Sequence, residues 1–367
     1  MNYYDVALAR GLAANGIEAR LYTSDDTDET GESGFSVVKP FRALYNQDHK
    51  LRRALRFLRG VLWSVRDAKT QGIRVIHLHY FQFGVRELIS CLAVKAYGIR
   101  VVATVHDVTT FSASARLSLV KSILRLTDQV IVHNSYSAAQ LEAKMTPAGN
   151  APPISVIRHG NYCDSVIPID VEEARQRLEL KSDQPVLLFF GQVKPHKGLD
   201  LLLKAFARFK HAGHPGVLLV AGRAGKDESM YRQLINSYEI EASVRLDFRY
   251  IPDVDAQLYY SACDLVVLPY REIYQSGVLL MAMSYGRATL CSDIPGMNDL
   301  VRDGDTGVTF TVNDDSSLFE ALVNALHNTE GLHEMGGRAR ALVDTEYNWI
   351  GIGAKTKTVY ERAVVGC

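Results

Sequence analysis

Residues 185–210, PVLLFFGQVKPHKGLDLLLKAFARFK, decide the fold. The stretch 185–190 is almost wholly apolar, as expected of a strand buried on both faces of a parallel sheet. Residues 191–198 form a turn bounded by Gly191 and Gly198 and carrying Lys194, His196 and Lys197. Residues 199–210 then place apolar side chains at helical spacing. Strand, glycine-bounded basic turn and helix, in that order, make the first part of a βαβ unit. The helix start offers unpaired amides and the positive end of the helix dipole, which suit a phosphate. The spacing is neither a P-loop nor a Rossmann fingerprint: Gly-x-x-x-x-Gly-Lys-Ser/Thr is absent.

The same rhythm extends toward the C-terminus. Strands are expected at 217–221, 244–248, 264–268 and 288–291, and helices at 199–210, 230–238, 256–262, 277–285 and 318–327. Gly222-Arg223 follows one strand, Pro269-Tyr270-Arg271 another, and Ser276-Gly277 opens a helix that Gly286 closes. Toward the N-terminus the alternation is weaker. A helix at 4–15 comes first, then a strand at 17–22 and an acidic loop with Asp25, Asp26, Asp28, Glu29 and Glu32. Strands at 75–78, 99–105, 129–133 and 154–157 interleave with helices at 86–97, 117–126 and 135–143, the last with Ser135 as its cap. The pattern predicts an α/β protein of two doubly wound domains. Their expected bounds are 1–165 and 166–348, with a terminal helix, 349–367, crossing back toward the first.

Composition agrees. A chain of 367 residues exceeds one ordinary core. Its 47% hydrophobic and 22% charged residues are those of a folded soluble protein. Forty-one basic residues balance 41 acidic ones, which argues against a general nucleic-acid partner. The 5 cysteines, at 91, 163, 263, 291 and 367, are widely spaced with no CxxC, so neither a disulfide framework nor a structural zinc is expected. No apolar run of spanning length occurs, and Met1-Asn2-Tyr3-Tyr4-Asp5 lacks the basic and greasy regions of a secretory signal. The expected location is cytoplasmic, with peripheral attachment to the inner face of the plasma membrane.

In open parallel sheets, ligands collect at the carboxyl ends of strands. There, Gly191, Lys194, Lys197, Ser276 and Gly277 are candidates to hold a diphosphate without metal, with Arg223 a further cleft candidate. His106-Asp107 follows the strand at 99–105, where an orienting or catalytic pair of the first domain would appear. His77 and His79 have period two and face one side of their strand. Together with His106 they would approach a metal site only if their strands are adjacent. His159 and Asn161 end the last strand of this half, and His196 lies in the basic turn. A Gly-x-Ser-x-Gly elbow is absent, which disfavours a serine hydrolase. Residues 50–69 read as an amphipathic helix. Leu51, Leu55, Leu58, Leu62 and Val65 form one stripe, beside Lys50, Arg52, Arg53, Arg56, Arg59 and Arg66. Such a helix either lies on an anionic membrane or packs on its own domain with a wet basic face.

The ordered set of motifs resembles glycosyltransferase family 4, of the GT-B fold, over nearly the whole chain. Leu188-Phe189-Phe190-Gly191 followed by Lys197-Gly198-Leu199-Asp200 is similar to the family's donor loop. Val220-Ala221-Gly222, Asp264 to Pro269, Met281 to Arg287, and Ser292 to Gly296 followed by Asp303-Gly304-Asp305-Thr306-Gly307 match the later motifs in order. The resemblance implies transfer of a sugar from a nucleotide diphosphate sugar, GDP- or UDP-linked, to an acceptor. It places the donor on the second domain, near Asp299, and His106 near the reacting sugar. Neither metal nor cofactor is implied. The variant Tyr274-Gln275-Ser276-Gly277 resembles bacterial polysaccharide-assembly transferases. This implies exopolysaccharide or surface-glycan synthesis and a polyprenyl-diphosphate-linked saccharide acceptor.

The chain departs from the family in three places. Ile273 and Met281 stand where a pair of glutamates is usual, with Glu272 one position off. Gln192 replaces an arginine, with Lys194 nearby. The chain opens on a helix, so the first strand of the N-terminal domain is expected to be missing. These departures leave retention or inversion open, with direct front-face transfer the expectation if retaining. If the enzyme inverts, Asp107 or His106 would remove the acceptor proton. They also motivate two alternatives: a catalytically impaired glycan-binding or scaffold protein, and a sugar phosphorylase-like enzyme.

Overall fold

The computed structural model describes residues 2–27, 30–32, 34–44, 49–108, 117–145, 151–181 and 183–365. Asp28, Glu29 and Cys367 lie outside them. The chain divides into two compact units, one of residues 1–160 with 347–367 and one of 161–346. Each is a Rossmann-like α/β domain, the pair that defines the GT-B fold.

In the second unit, β7 (Val186–Phe190), β8 (Val217–Ala221), β9 (Val244–Asp247), β10 (Leu265–Leu268), β11 (Ala288–Ser292) and β12 (Val308–Phe310) form one parallel sheet. The spatial order is β12-β11-β10-β7-β8-β9. The chain leaves β7 toward β9, then returns to β10 on the other side, so the topological switch point lies between β7 and β10. Leu187, Phe189, Leu218, Val220, Leu265 and Val267 are buried against Leu202, Leu203 and Phe206 of helix Leu199–His211. Near-continuous apolar strands therefore yield a sheet covered on both faces.

In the first unit, β3 (Val75–Tyr80), β4 (Arg100–Val105), β5 (Gln129–Val132) and β6 (Ile154–Val156) form a parallel sheet in that order. Separately, β1 (Ala19–Ser24) pairs in parallel with β2 (Phe35–Phe41). Helix Asn2–Ala14 packs along helix Trp349–Val365, the last element of the chain. The contact is set by glycines. A Cβ on Gly11 would collide with the Trp349 carbonyl, and one on Gly353 with the Gly11 carbonyl. The helix after β5 is capped by Asn134, whose Oδ1 accepts from Ser137 N at 2.7 Å; Ser135 is already inside the helix. Cys91, Cys163, Cys263 and Cys291 are free thiols. No described helix is long and apolar enough to cross a membrane.

Candidate active site

In the second unit, the turns after β7 and β10 flank the switch point and interlock. Gly191 N donates to Ala221 O at 2.9 Å and Val193 N to Arg223 O at 3.0 Å, tying the basic turn to the end of β8. A Cβ on Gly222 would strike the Gly191 carbonyl, so this approach requires glycine. Gly198 has φ +68 and would press a Cβ into the Pro269 carbonyl, which fixes the start of helix Leu199–His211 against the end of β10. Arg271 clamps the same junction. Its guanidinium donates to both carboxylate oxygens of Asp200, at 2.9 and 2.6 Å, and its backbone N to His196 O at 2.8 Å. Arg271 is thus a structural brace, not a spare cation for a phosphate.

Lys197 lies with Nζ 3.6 Å from the centre of the Tyr270 ring, a cation–π contact. Burial, and then the neighbouring Lys194 charge, push its pKa down to about 7. Desolvation disfavours its charge, so an anion at this place would restore it. Lys194 is exposed beside it. Ser276 is buried, and its Oγ accepts from Leu279 N at 3.2 Å. It therefore caps helix Gly277–Ser284 and leaves the first amides of that helix outward. A Cβ on Gly191 would stand 3.2 Å from Val278 Cγ2, so the glycine turn and this helix start are neighbours. Gly277 is exposed, with room for a Cβ only 3.2 Å from Tyr162 Oη. Gly191, Lys197, Gly277 and the backbone of Arg223 thus gather at one place. The Arg223 side chain is exposed, 5.9 Å from the Tyr250 ring centre. Asp299 is exposed after helix Pro295–Asn298, whose Gly296 packs against the Ile273 carbonyl. Glu272 is exposed, and Met281 is partly buried on the helix.

In the first unit, every strand of the four-stranded sheet delivers a histidine at or near its carboxyl end: His77 and His79, His106, His133 and His159. The rings of His77 and His79 stack at 4.6 Å, so both face one side. His79 Nδ1 lies 3.0 Å from His106 Nε2, and His106 Nδ1 lies 3.1 Å from His133 Nε2. His133 Nδ1 lies 3.0 Å from Ile157 O. A carbonyl only accepts, so His133 carries its proton on Nδ1. His133 Nε2 then accepts from His106 Nδ1, and His106 Nε2 accepts from His79 Nδ1. The network assigns one tautomer to each ring, ending with the His79 Nε2 lone pair 3.6 Å from Asp5 Oδ1.

Burial, reinforced by the neighbouring imidazoles, holds His106 neutral far below the usual histidine range. Burial pushes His133 down to about 3 and His159 to about 4, and lowers His77 and His79 as well. Phe81 stacks on His106 at 4.2 Å, and Tyr4 meets His79, His106, His133 and His159 edge-on or tilted at 4.8–5.8 Å. His79, His106 and His133 bond to one another, while His77 bonds to Tyr360 and Thr104, and among the described residues no group of three or more His, Cys, Asp or Glu could hold a metal. Asp107, partly buried, follows His106 directly. His159 Nδ1 donates to Gly160 O at 2.7 Å. Asn161 belongs to the other unit and donates to Val343 O at 2.8 Å. His196 is partly buried in the basic turn.

His133, Tyr4 and Trp349 have no place among the sequence candidates. For His133 the signal was available: it follows β5 just as His106 follows β4.

Two family models match the chain, "Glycosyltransferase Family 4" over residues 2–160 and "Glycosyl transferases group 1" over residues 170–342. The chain is 26% identical to the D-inositol 3-phosphate glycosyltransferase of Streptosporangium roseum, covering 99% of this chain and 88% of that protein. Among solved structures, it resembles sucrose-phosphate synthase from Thermosynechococcus elongatus with a TM-score of 0.76 at 20% identity, covering 100% of this chain and 94% of the other. Anabaena HepE in complex with UDP-glucose gives 0.68 at 19% identity, covering 89% and 86%. Each of the two Rossmann-like domains is matched by one glycosyltransferase family model, and the chain is a glycosyltransferase of GT-B type.

Proposed function

We propose that the chain transfers a hexose from a UDP- or GDP-linked sugar to a lipid-linked saccharide, with retention and without metal. One observation carries the reading: Lys197, a lysine held near neutrality, sits at the switch point beside the glycine turn and a free helix N-terminus. As the bond between sugar and phosphate breaks, negative charge grows on the leaving diphosphate. Lys197, Lys194 and the amides at Gly277 stabilise that charge, and Arg223 adds to the local field. Asp299 adjoins the donor. HepE, of the same fold, carries UDP-glucose in its solved complex, which supports a UDP-sugar.

The first unit binds the acceptor, with His106 and Asp107 toward the reacting sugar. Both nitrogens of His106 are taken by His79 and His133, so contact with a sugar hydroxyl requires release of one. His79 and His133 are then positioning residues that set its tautomer. The helix Lys50–Thr70 supports a membrane-linked acceptor. Leu51, Leu55, Leu62 and Trp63 are 64, 53, 43 and 48% exposed, beside the exposed Arg52 and Arg59, while Val61, Val65 and Ala68 pack inward. An outward apolar row edged by arginine suits an anionic membrane surface.

A panel of UDP-, GDP-, ADP- and dTDP-sugars, screened by ligand-detected NMR against the chain and Lys197→Ala, tests the donor assignment. Selective binding of one donor, weakened in the variant, is expected. Donor binding unaffected by the variant contradicts it. A non-catalytic glycan-binding reading is favoured by Ile273 and Met281 in place of carboxylates; it predicts saccharide binding with no nucleotide release.

A further inference from the structure

Four rings form a pile at the carboxyl edge of the first unit's sheet. The ring centres of His77 and His79 are 4.6 Å apart, those of His79 and His106 5.3 Å, and those of His106 and Phe81 4.2 Å. The last two rings are parallel to within 3°. Phe81 ends the pile and is 38% exposed, whereas the three histidines are partly buried. Backbone pairing sets the contact. Tyr80 pairs with Val105 in the β3–β4 register, and His106 N donates to Tyr80 O at 2.9 Å. The residues that follow each strand, Phe81 and His106, therefore come side by side.

The segment 81–84 joins β3 to helix Val85–Ala96. Its other aromatic, Phe83, is buried with its ring centre 5.3 Å from that of Tyr80. The segment thus sends one phenylalanine inward and keeps the other at the surface. A lone exposed apolar side chain is ordinary. Phe81 differs in two respects. It stands at the edge where open parallel sheets collect ligands. It also lies flat on a ring that is hydrogen-bonded on both sides, to His79 and His133. One face of Phe81 rests on His106, so its exposed area falls on the opposite face and the rim. The backing ring holds that face in one orientation, which lowers the ordering cost of binding.

An aromatic face carries partial negative charge and attracts polarised C–H groups. A fixed, flat face fits a partner that presents several of them in one plane. A hexopyranose with equatorial substituents does so: axial hydrogens line both of its faces, each on a carbon that bears oxygen. An axial oxygen interrupts the face. We propose that Phe81 is the platform on which the acceptor's sugar lies, and that it selects a β-linked, gluco-configured hexopyranose over one with axial oxygens. The inference rests on the reading that the first unit binds a saccharide acceptor.

Saturation-transfer NMR with methyl β-D-glucopyranoside and methyl α-D-mannopyranoside tests the platform without donor or lipid. The mannoside carries one axial oxygen on each face. The β-glucoside should bind the wild type, with strongest transfer to the axial protons of one face, and the mannoside should bind at least about fivefold more weakly. Phe81→Tyr keeps the ring and should hold the glucoside affinity within about twofold, whereas Phe81→Leu should lower it at least about fivefold. Tyr97→Ala removes a ring of similar exposure, 37%, at the far end of helix Val85–Ala96, and should change nothing. No glucoside binding by the wild type, equal binding of the two probes, full binding by Phe81→Leu, or loss in Phe81→Tyr equal to that in Phe81→Leu overturns the proposal.

Transfer kinetics give a second readout. With a lipid-linked saccharide extract, Phe81→Leu should raise the acceptor KM at least about fivefold and leave the donor KM unchanged, a split that general loosening of the fold would not produce. Extract-dependent nucleotide release with an unaltered acceptor KM in Phe81→Leu overturns the platform and leaves the transferase reading standing. Glycoside binding that depends on Phe81, with no nucleotide release from any donor, overturns the transferase reading and leaves the platform.

Discussion

Lys197 offers a test whose size follows from its surroundings. Its pKa is depressed to about 7 by burial and by Lys194, so in the free protein it is charged below that pH and neutral above it. The diphosphate diester of a nucleotide sugar is fully ionised throughout this range. Donor binding is therefore coupled to proton uptake at Lys197, and affinity falls as pH rises through 7. If the bound lysine keeps its proton, affinity drops roughly 50-fold between pH 7 and 9. Removing the ammonium with Lys197→Ala deletes a charge-assisted hydrogen bond worth about 1.5–3 kcal/mol, roughly ten- to hundredfold in Kd at pH 6.5. The variant should also bind with a flat pH profile. Arginine stays charged at every accessible pH, so Lys197→Arg should flatten the profile while retaining much of the affinity. Calorimetric titration of the preferred nucleotide sugar at pH 6.5, 7.5, 8.5 and 9, in buffers of differing ionisation enthalpy, reads affinity and protons together. A steep profile that persists in Lys197→Ala refutes the reasoning, as does a wild-type profile flat from pH 6.5 to 9.

Other outcomes follow from the same geometry. His133→Ala removes the acceptor that fixes the His106 tautomer, so kcat should fall about tenfold or more with little change in donor KM; His133→Asn should restore part of it. Gly198→Val combines the strain of φ +68 with a collision at the Pro269 carbonyl, and should cost at least about 2 kcal/mol of stability in urea unfolding. Arg271→Ala loosens the basic turn from Asp200, and should raise donor KM several-fold without altering binding of the saccharide acceptor. Replacing Leu55, Leu62 and Trp63 with Ser should release the chain from phosphatidylglycerol vesicles while leaving donor binding unchanged; vesicle binding that survives removes the membrane role from this helix.

The second unit was the more legible half because its strands are short, apolar and cleanly punctuated, as at 186–190 and 265–268. The turns at Gly191 and Gly222 immediately follow strands. Reading stopped where local pattern is weak. Strand Phe35–Phe41 contains Lys39 and Pro40, which interrupt the apolar alternation, and it pairs only at the edge of the two-stranded sheet. Helix Thr329–Glu346 contains Gly331, Gly336 and Gly337, which lower its local helical preference. Gly336 is nonetheless required, since a Cβ there would meet the Gly286 carbonyl. The histidine row was legible only in fragments. His77 and His79 lie within β3, and His106 and His159 follow β4 and β6, but which rings bond to one another depends on sheet order and on which ring atoms meet across strands. The exposure of Leu51, Leu55 and Leu62 was not readable either: helical spacing groups apolar residues but does not say which row turns inward. Here Gly60, Val61, Ser64, Val65 and Ala68 do.

The most direct test of the central claim is transfer itself. The preferred nucleotide sugar is incubated with the chain and a bacterial lipid-linked saccharide extract, and nucleotide release and the product's anomeric signal are followed by NMR. The account predicts release that depends on the extract, is lost in Lys197→Ala, and yields a product with the donor's anomeric configuration. Release without acceptor dependence, inversion at the anomeric carbon, or donor binding with no release from folded protein would contradict it.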